Sequence, residues 1–311
     1  MKSKVLTIPS VCILTAAWNQ VEKTLACLET VFKLTYTQFD VVLVDNGSKD
    51  ELREQVRQWY PQVEIIRSET NLGFAAGFNL GLRLAMIQGY DYIFLINNDT
   101  LLASDCLTML VDGAQVRPNA ALLTAKIYYA SDPNRIWTVG GSSNKLLLEV
   151  KDVARGQLDV GQWETPSKIE FAPLCGVLLN THCLSEVGLL DELFFLYYED
   201  MEFCHRLRRM KYELWLMPQA RMWHEVSASS GGSNTPTERY WMALSSGLYF
   251  RNSATWLQLV FIIPYRLASA IRTTIKLLKR RSYHAVYAYW LGLWNGWVKQ
   301  ESKHPILDSD V

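Results

Sequence analysis

Tyr92-Ile93-Phe94-Leu95-Ile96-Asn97-Asn98-Asp99-Thr100 decides how this 311-residue chain folds. A run of five apolar residues, mostly aromatic or β-branched, is too short for a helix and predicts a strand buried on both faces. The polar cluster behind it stops the strand and leaves amide, carboxylate and hydroxyl groups at its carboxyl end. The same unit recurs upstream. Val11 to Thr15 reads as a buried strand and Val21 to Leu34 as a helix, with Leu25, Leu28 and Phe32 on one face. Phe39 to Val44 is a second strand, ending in the turn-forming Asp45-Asn46-Gly47-Ser48-Lys49-Asp50. Glu51 to Trp59 is a helix and Val63 to Ile66 a short strand. Asn71-Leu72-Gly73-Phe74-Ala75-Ala76-Gly77-Phe78-Asn79 is a glycine-bearing loop that leads into a helix ending near Gly89. A further helix runs from Ser104 to Val116. Alternating helices and fully apolar strands predict an α/β fold with a parallel sheet covered on both faces. The polar clusters at Asp45, Asn71 and Asp99 each follow a strand, and ligands in such sheets bind beyond the strands' carboxyl ends.

Downstream, residues 128–170 carry Asp132-Pro133-Asn134, Gly140-Gly141-Ser142-Ser143-Asn144 and Gly156, the marks of loops and short hairpins. Phe171 to Asn180 reads as a strand through Gly176, Tyr212 to Met217 as another, and Ala220-Arg221-Met222-Trp223-His224 ends it. Between them, Phe194-Phe195-Leu196-Tyr197-Tyr198 leads straight into Glu199-Asp200-Met201-Glu202. Met201, Cys204 and Leu207 then recur at helical spacing, which puts Glu199 and Asp200 at a helix N-terminus, where the dipole favours anions. Capping by acids is the plain reading of such a pair. The apolar run before it favours a second one: a partly desolvated carboxylate with a raised pKa, suited to general-base work. Residues 227–237, rich in Ser, Gly and Thr, read as an active-site loop or a linker.

Composition narrows the class. The charges balance at 31 basic against 31 acidic residues, which excludes a general nucleic-acid binder. The balance is uneven, with nine bases and three acids from residue 241 onward, so the tail is expected to meet something anionic. Cys12, Cys27, Cys106, Cys175, Cys183 and Cys204 are scattered with no Cys-x-x-Cys, so they read as buried thiols in a reducing compartment. The N-terminus shows no secretory h-region. The glycine-bearing loop is neither Gly-x-Gly-x-x-Gly nor a Walker loop, although it permits a phosphate to approach the backbone.

Taken in order, Asp45-Asn46-Gly47-Ser48, Asn71 to Asn79, Asn97-Asn98-Asp99, Glu199-Asp200-Met201-Glu202 and His224 resemble family 2 of the inverting glycosyltransferases. Within it they resemble the rhamnosyltransferase-like branch of bacterial surface-polysaccharide synthesis. The resemblance spans roughly residues 8–250. It implies a GT-A fold, a dTDP- or UDP-sugar donor with rhamnose favoured, a lipid-linked or polysaccharide acceptor, and a divalent metal, Mn or Mg. Asp45 matches the acid that contacts base or ribose. Asn71, Gly73, Gly77 and Asn79 match the loop around nucleotide and donor sugar, with Thr15, Asn97 and Asn98 assigned to the same donor site. Asp99 matches the last acid of the Asp-x-Asp motif and His224 the distal metal ligand. Asn97 stands where the first Asp of that motif would be, which weakens the metal site. Asp200 matches the catalytic base, with Glu199 second, while Glu202 is expected on the helix surface or orienting the acceptor. Two rivals carry different expectations: an inactive relative acting as a membrane-bound assembly partner, and a sugar-phosphate nucleotidyltransferase. The second lacks the basic residues it would need between Val11 and Gln20.

Residues 1–240 are therefore expected to form the GT-A domain and 241–311 a basic, aromatic-rich helical extension. Trp256 to Ile263 is too short to span a bilayer and is interrupted by Pro264. Beyond it, Leu267, Ile271, Ile275 and Leu278 share one helical face, with Arg272, Lys276, Lys279 and Arg280 elsewhere. Tyr283, Tyr287, Trp290, Trp294 and Trp297 form a second stripe. Such stripes suit an anionic membrane surface. They equally suit packing on the catalytic domain or a homodimer. The expected location is cytoplasmic, peripheral to the inner face of the plasma membrane.

Overall fold

The computed structural model describes residues 8–225 and 234–299. The chain builds β1 (Val11–Ala17), α1 (Val21–Val31), β2 (Phe39–Asn46), α2 (Leu52–Trp59), β3 (Glu64–Ser68), α3 (Gly73–Gln88), β4 (Tyr92–Asn97), β5 (Thr100–Leu102), α4 (Cys106–Gln115) and β6 (Ala120–Tyr129). It continues with β7 (Asp132–Thr138), β8 (Gly141–Ser143), β9 (Val150–Asp152), β10 (Ser167–Ile169), β11 (Gly176–Asn180), α5 (Thr181–Val187), α6 (Glu199–Arg209) and β12 (Glu213–His224). Three helices close it: α7 (Pro236–Ser253), α8 (Trp256–Lys279) and α9 (Tyr283–Trp294), followed by a π-helical turn, Asn295–Lys299.

The main sheet runs β10-β12-β6-β11-β4-β1-β2-β3, with β5 added to β12 and β7 to β6. Alternate residues of each central strand feed opposite cores. Val11 and Ile13 join Cys27, Leu28, Val56 and Leu110 under α1, α2 and α4. Cys12 and Leu14 join Phe78, Leu82, Leu184 and Phe203 under α3, α5 and α6. Burial on both faces is why these strands are continuously apolar. β1, β2, β3 and β4 are parallel. The expectation of a wholly parallel sheet is corrected at β11, which runs antiparallel to both β4 and β6. Its reversal lets the chain enter the sheet at Gly176 beside Ile96, delivering Cys175 to the edge where β4 ends.

Other boundaries differ for physical reasons. β6 was not expected; its Ala120-Ala121-Leu122-Leu123 start suits helix and strand alike, and only burial between β11 and β12 settles it. The strand expected from Phe171 begins at Gly176. β12 is one strand with an irregularity between Met217 and Arg221, where Pro218 offers no N–H to the ladder. The glycine-bearing segment is not a loop: α3 already begins at Gly73. Pro264 does not interrupt the C-terminal helix, because α8, started by a Thr255–Gln258 capping box, runs through it.

The expected boundary at 240 falls inside α7, whose Tyr240, Trp241, Leu244, Leu248 and Phe250 make a core with Phe194 and Leu148. Phe195 stacks on Trp241 at 4.4 Å. The Ser245 hydroxyl donates to the Leu196 carbonyl at 2.8 Å. α7 is therefore the platform beneath the acidic stretch. α9 lies against α7 at glycine contacts: a Cβ on Gly292 or Gly296 would overlap the carbonyl oxygens of Tyr240 and Leu244. Apart from Trp297, the residues of the expected stripes stay substantially exposed. Ile262, Ala270 and Leu277 are the buried residues of α8, whereas Leu267, Ile271, Ile275 and Leu278 stay 44–53 % exposed. Tyr283, Tyr287, Trp290 and Trp294 face outward too, and Trp297 turns in toward α7. Among the described residues no helix is long and apolar enough to cross a membrane. All six cysteines are buried and free.

Candidate active site

β-Sheet register assembles the first pole of the site. β5 pairs antiparallel with the end of β12, setting Thr100 opposite His224. Asp99, one residue before, thereby meets the imidazole: Oδ1 lies 3.1 Å from His224 Nε2. Asn97 reaches the same nitrogen at 3.5 Å. Asp99 and His224 are both buried. Asp99 Oδ1 and His224 Nδ1 make no hydrogen bond among the described residues. Trp137 of β7 stands edge-on to the His224 ring at 4.7 Å.

The second pole is the N-terminus of α6. Tyr197 and Tyr198 adopt positive φ, 69° and 67°, directly before Glu199 and Asp200. Two consecutive left-handed non-glycine residues cost about 1–3 kcal/mol each, so the surrounding structure must hold them. It does so through α7, with Tyr198 against Tyr249 and Phe250. The turn aims both carboxylates inward. Glu199 is buried, and its Oε2 has no hydrogen-bond partner among the described residues. Burial, and next the Asp200 charge, raise its pKa well above the carboxylate range. Asp200 is half-buried and accepts the Met201 amide at 2.7 Å. Burial pushes its pKa up to about 6, against that amide and the Arg155 charge, which lower it.

Cys175 is within electrostatic reach of both poles, and its carbonyl accepts the Asn97 amide at 3.1 Å. Its thiol is driven well up by burial and then by the charges of both Asp99 and Asp200. A carboxylate able to hold a proton near neutrality and the aspartate of an aspartate–imidazole pair thus both act on the Cys175 thiol.

Several residues assigned to the donor site do other work. Asn79 is fully committed within the protein: its amide donates to the Leu190 carbonyl and Glu192, and its oxygen accepts the Leu190 amide. It clips α3 to the segment before the acidic stretch. Asn98 donates to Thr24 of α1, away from His224. Gly77 packs on Asn46, whose amide nitrogen a Cβ would meet at 2.8 Å. Gly73, at φ +80°, lies against Phe195, and Phe74 N–H donates to the Phe195 carbonyl at 2.7 Å. The close approach these glycines allow is between α3 and its neighbours. Asn71 accepts the Gly73 amide and the Asn46 side chain, stitching β2 to α3. Asp45 is wholly buried and paired with Arg67 and Arg53, so the arginines and not the acid are accessible. Thr15 is buried in mid-β1 with an unpartnered hydroxyl. Glu202 pairs with Arg206 at 2.8 Å and is structural. Of the expected set, Asn97, Asp99 and His224 meet at one pole, and Glu199 and Asp200 stand together at the other. Trp137, Arg155 and Cys175 were not foreseen, because strand pairing across distant sequence brings them there.

A divalent cation fits in part. Asp99, His224 and the Asn97 side-chain oxygen offer two oxygens and one imidazole, a set natural for manganese. The Asp99–His224 contact lacks hydrogen-bond geometry, and His224 Nδ1 has no hydrogen-bond partner among the described residues, which leaves both side chains able to take a further partner. No cluster of three His, Cys, Asp or Glu residues exists among the described residues. Such a site would lean on substrate oxygens to complete its shell.

Comparisons with known proteins identify the family and the fold. The family model "Glycosyl transferase family 2" matches residues 12–165, and "Glycosyl transferase family group 2" matches 92–298. The chain is 23% identical over 242 residues to the dTDP-rhamnosyl transferase RfbF of Shigella flexneri, covering 76% of this chain and 78% of that one. It is 25% identical over 250 residues to the N-acetylglucosaminyl-diphospho-decaprenol L-rhamnosyltransferase of Mycobacterium tuberculosis, covering 72% and 78%. Its fold matches the mannosyltransferase PcManGT from Pyrobaculum calidifontis, solved with GDP-Man and Mn2+, at TM-score 0.61 and 14% identity over 95% of this chain and 89% of that one. It also matches GalNAc-T7, solved with UDP, GalNAc and Mn2+, at TM-score 0.63 and 14% identity, over 81% of this chain and 50% of that one. The fold is GT-A with a C-terminal helical extension, and the chain belongs to glycosyltransferase family 2, in company with rhamnosyltransferases.

Proposed function

We propose that the protein is an inverting glycosyltransferase that moves rhamnose from a dTDP-sugar, or a related sugar from a UDP-sugar, to a hydroxyl of a lipid-linked glycan. The observation that carries the reading is Asp200, set at the N-terminus of α6 by a strained turn and near enough to Asp99 that both charges act on the Cys175 thiol. The relatives' names support the donor and a diphospho-lipid acceptor.

Asp200 accepts the proton of the attacking hydroxyl. The acceptor oxygen bonds to the anomeric carbon as the bond from that carbon to the diphosphate breaks, and the electron pair leaves with the diphosphate. One displacement inverts the centre and needs no protein nucleophile. Burial disfavours charge on Glu199 more strongly than on Asp200, which favours Asp200 as the base. Asp99, His224 and Asn97 would hold a manganese or magnesium ion, which when bound neutralises charge on the departing diphosphate. The test is turnover across a panel of nucleotide sugars with and without Mn2+ or Mg2+. Metal-stimulated transfer from one donor supports the reading, and a folded protein that binds no nucleotide sugar overturns it. The assembly-partner reading draws on Asn97 and the small metal set; it requires Asp200→Asn to complement a deletion strain fully.

The C-terminal face is proposed to lie on an anionic membrane, where a lipid-linked acceptor resides. Leu257, Val260, Leu267, Ile271, Ile275 and Leu278 share one face of α8 and stay 44–61 % exposed. Arg272, Lys276, Lys279 and Arg280 cluster along the same helix, and the α9 aromatic stripe is of interfacial type. The charge of this surface favours anionic lipid over a second copy, which would bring like charges together.

A further inference from the structure

We propose that Arg155 is a phosphate-binding residue of this active site, taking a diphosphate oxygen of a bound substrate; the inference rests on the transferase reading above. Arg155 sits at the tip of a turn pinned beside β7. Gly156 N–H donates to the Ile136 carbonyl at 2.9 Å, and Gln157 N–H to the Ala154 carbonyl at 3.0 Å. Its guanidinium lies over the Trp137 ring, 5.3 Å from the centroid. Trp137 abuts His224 at 4.7 Å, and His224 meets Asp99 at 3.1 Å. The contacts thus run unbroken from Arg155 to the pole assigned to the leaving diphosphate. The Arg155 charge also reaches Asp200 and Cys175.

The guanidinium is held at one atom only, with Nε 3.5 Å from Asp152. Its side chain is 53% exposed, and its terminal nitrogens make no hydrogen bond among the described residues. A planar fork pre-oriented on an indole, with its two-donor edge free, suits phosphate. The site needs such a group. Asp99, Glu199 and Asp200 are acids, and Asn97 withholds a carboxylate from any metal, so charge neutralisation of an entering diphosphate falls partly to the protein. Two substrates supply that chemistry: the nucleotide-sugar donor and a diphospho-lipid acceptor.

Arg155→Gln keeps a planar group over Trp137 and removes the charge; Arg155→Lys keeps the charge and loses the fork. The donor arm titrates dTDP and UDP calorimetrically. The acceptor arm compares KM for a polyprenyl-diphosphate glycan with KM for the same glycan on a neutral alkyl glycoside. A contact to the donor lowers nucleoside-diphosphate affinity of the Gln variant about tenfold or more, the scale of one charged hydrogen bond. A contact to the acceptor raises KM only for the diphospho-lipid. Lys is expected to restore part of either loss, which a purely structural role would not produce. If wild type binds and turns over while Arg155→Gln matches it in both arms, this inference fails and the transferase reading stands. If wild type binds no nucleotide, both fall.

Discussion

Gly73→Ala tests how α3 and the acidic stretch are joined. Gly73 has φ +80°, and a Cβ there would overlap the Phe195 carbonyl oxygen and come within 2.6 Å of the Phe195 ring. Left-handed backbone costs a non-glycine residue about 1–2 kcal/mol. Displacing Phe195 sacrifices the Phe74 N–H bond to its carbonyl, about 1 kcal/mol, and overpacking adds about 1–3 kcal/mol. The expected loss is about 3–6 kcal/mol, read as a lower urea midpoint with an unchanged slope. Phe195 lies two residues before the strained Tyr197–Tyr198 turn, so transfer should fall further than the folded fraction does. Affinity for a nucleoside diphosphate should hold in the folded protein, because the glycine serves packing. A loss below about 1 kcal/mol, or unchanged stability with abolished nucleotide binding, would refute this and return Gly73 to the donor site.

Other outcomes follow from the same contacts. Asp200 holds its proton more tightly folded than unfolded, so the stability tied to that proton is present below pH 4 and lost as pH rises through about 6. Asp200→Asn should therefore be more stable than wild type at pH 7–8 in urea denaturation, the gap closing toward pH 4; an equal gap at both pH values contradicts it. Wild-type transfer should decline below about pH 6 as the base protonates. Lys126 is buried against Asp159 and Glu164. Lys126→Ala leaves Asp159 with the Tyr128 hydroxyl and the Gly161 amide only and should destabilise by about 1–3 kcal/mol, the scale of one hydrogen bond to a charged group, measurable by the same denaturation. Leu267→Glu with Ile275→Glu alters exposed sites only, so the melting temperature should hold while flotation with phosphatidylglycerol vesicles is lost. Retained flotation, or a wild-type dimer that the pair dissociates, would move that face from lipid to a second copy.

Much of this architecture was legible in sequence because β1, β2 and β4 are buried on both faces and end in polar clusters. Periodicity cannot see strand direction, so β11 hid its antiparallel run. β6 hid because Ala and Leu suit either structure. Within the site, Asp99, Asp200 and His224 were legible from motif order. What Asn79, Asn98 and Gly77 touch was not, since residues just after a strand can face a ligand or the neighbouring helix, and only packing chooses. Trp137 and Arg155 carry no local signal. They join the site because β7 folds back on β6 and the turn after β9 is tied to β7.

The most direct measurement is transfer from dTDP-rhamnose to a diphospho-lipid glycan by wild type and Asp200→Asn, with dTDP binding measured on both. A fall of about a hundredfold or more in transfer, with binding intact and the opposite anomeric configuration in the wild-type product, is the expected result. Wild-type rates from Asp200→Asn, or a retained configuration, would contradict the assignment of Asp200 as the base of a single displacement.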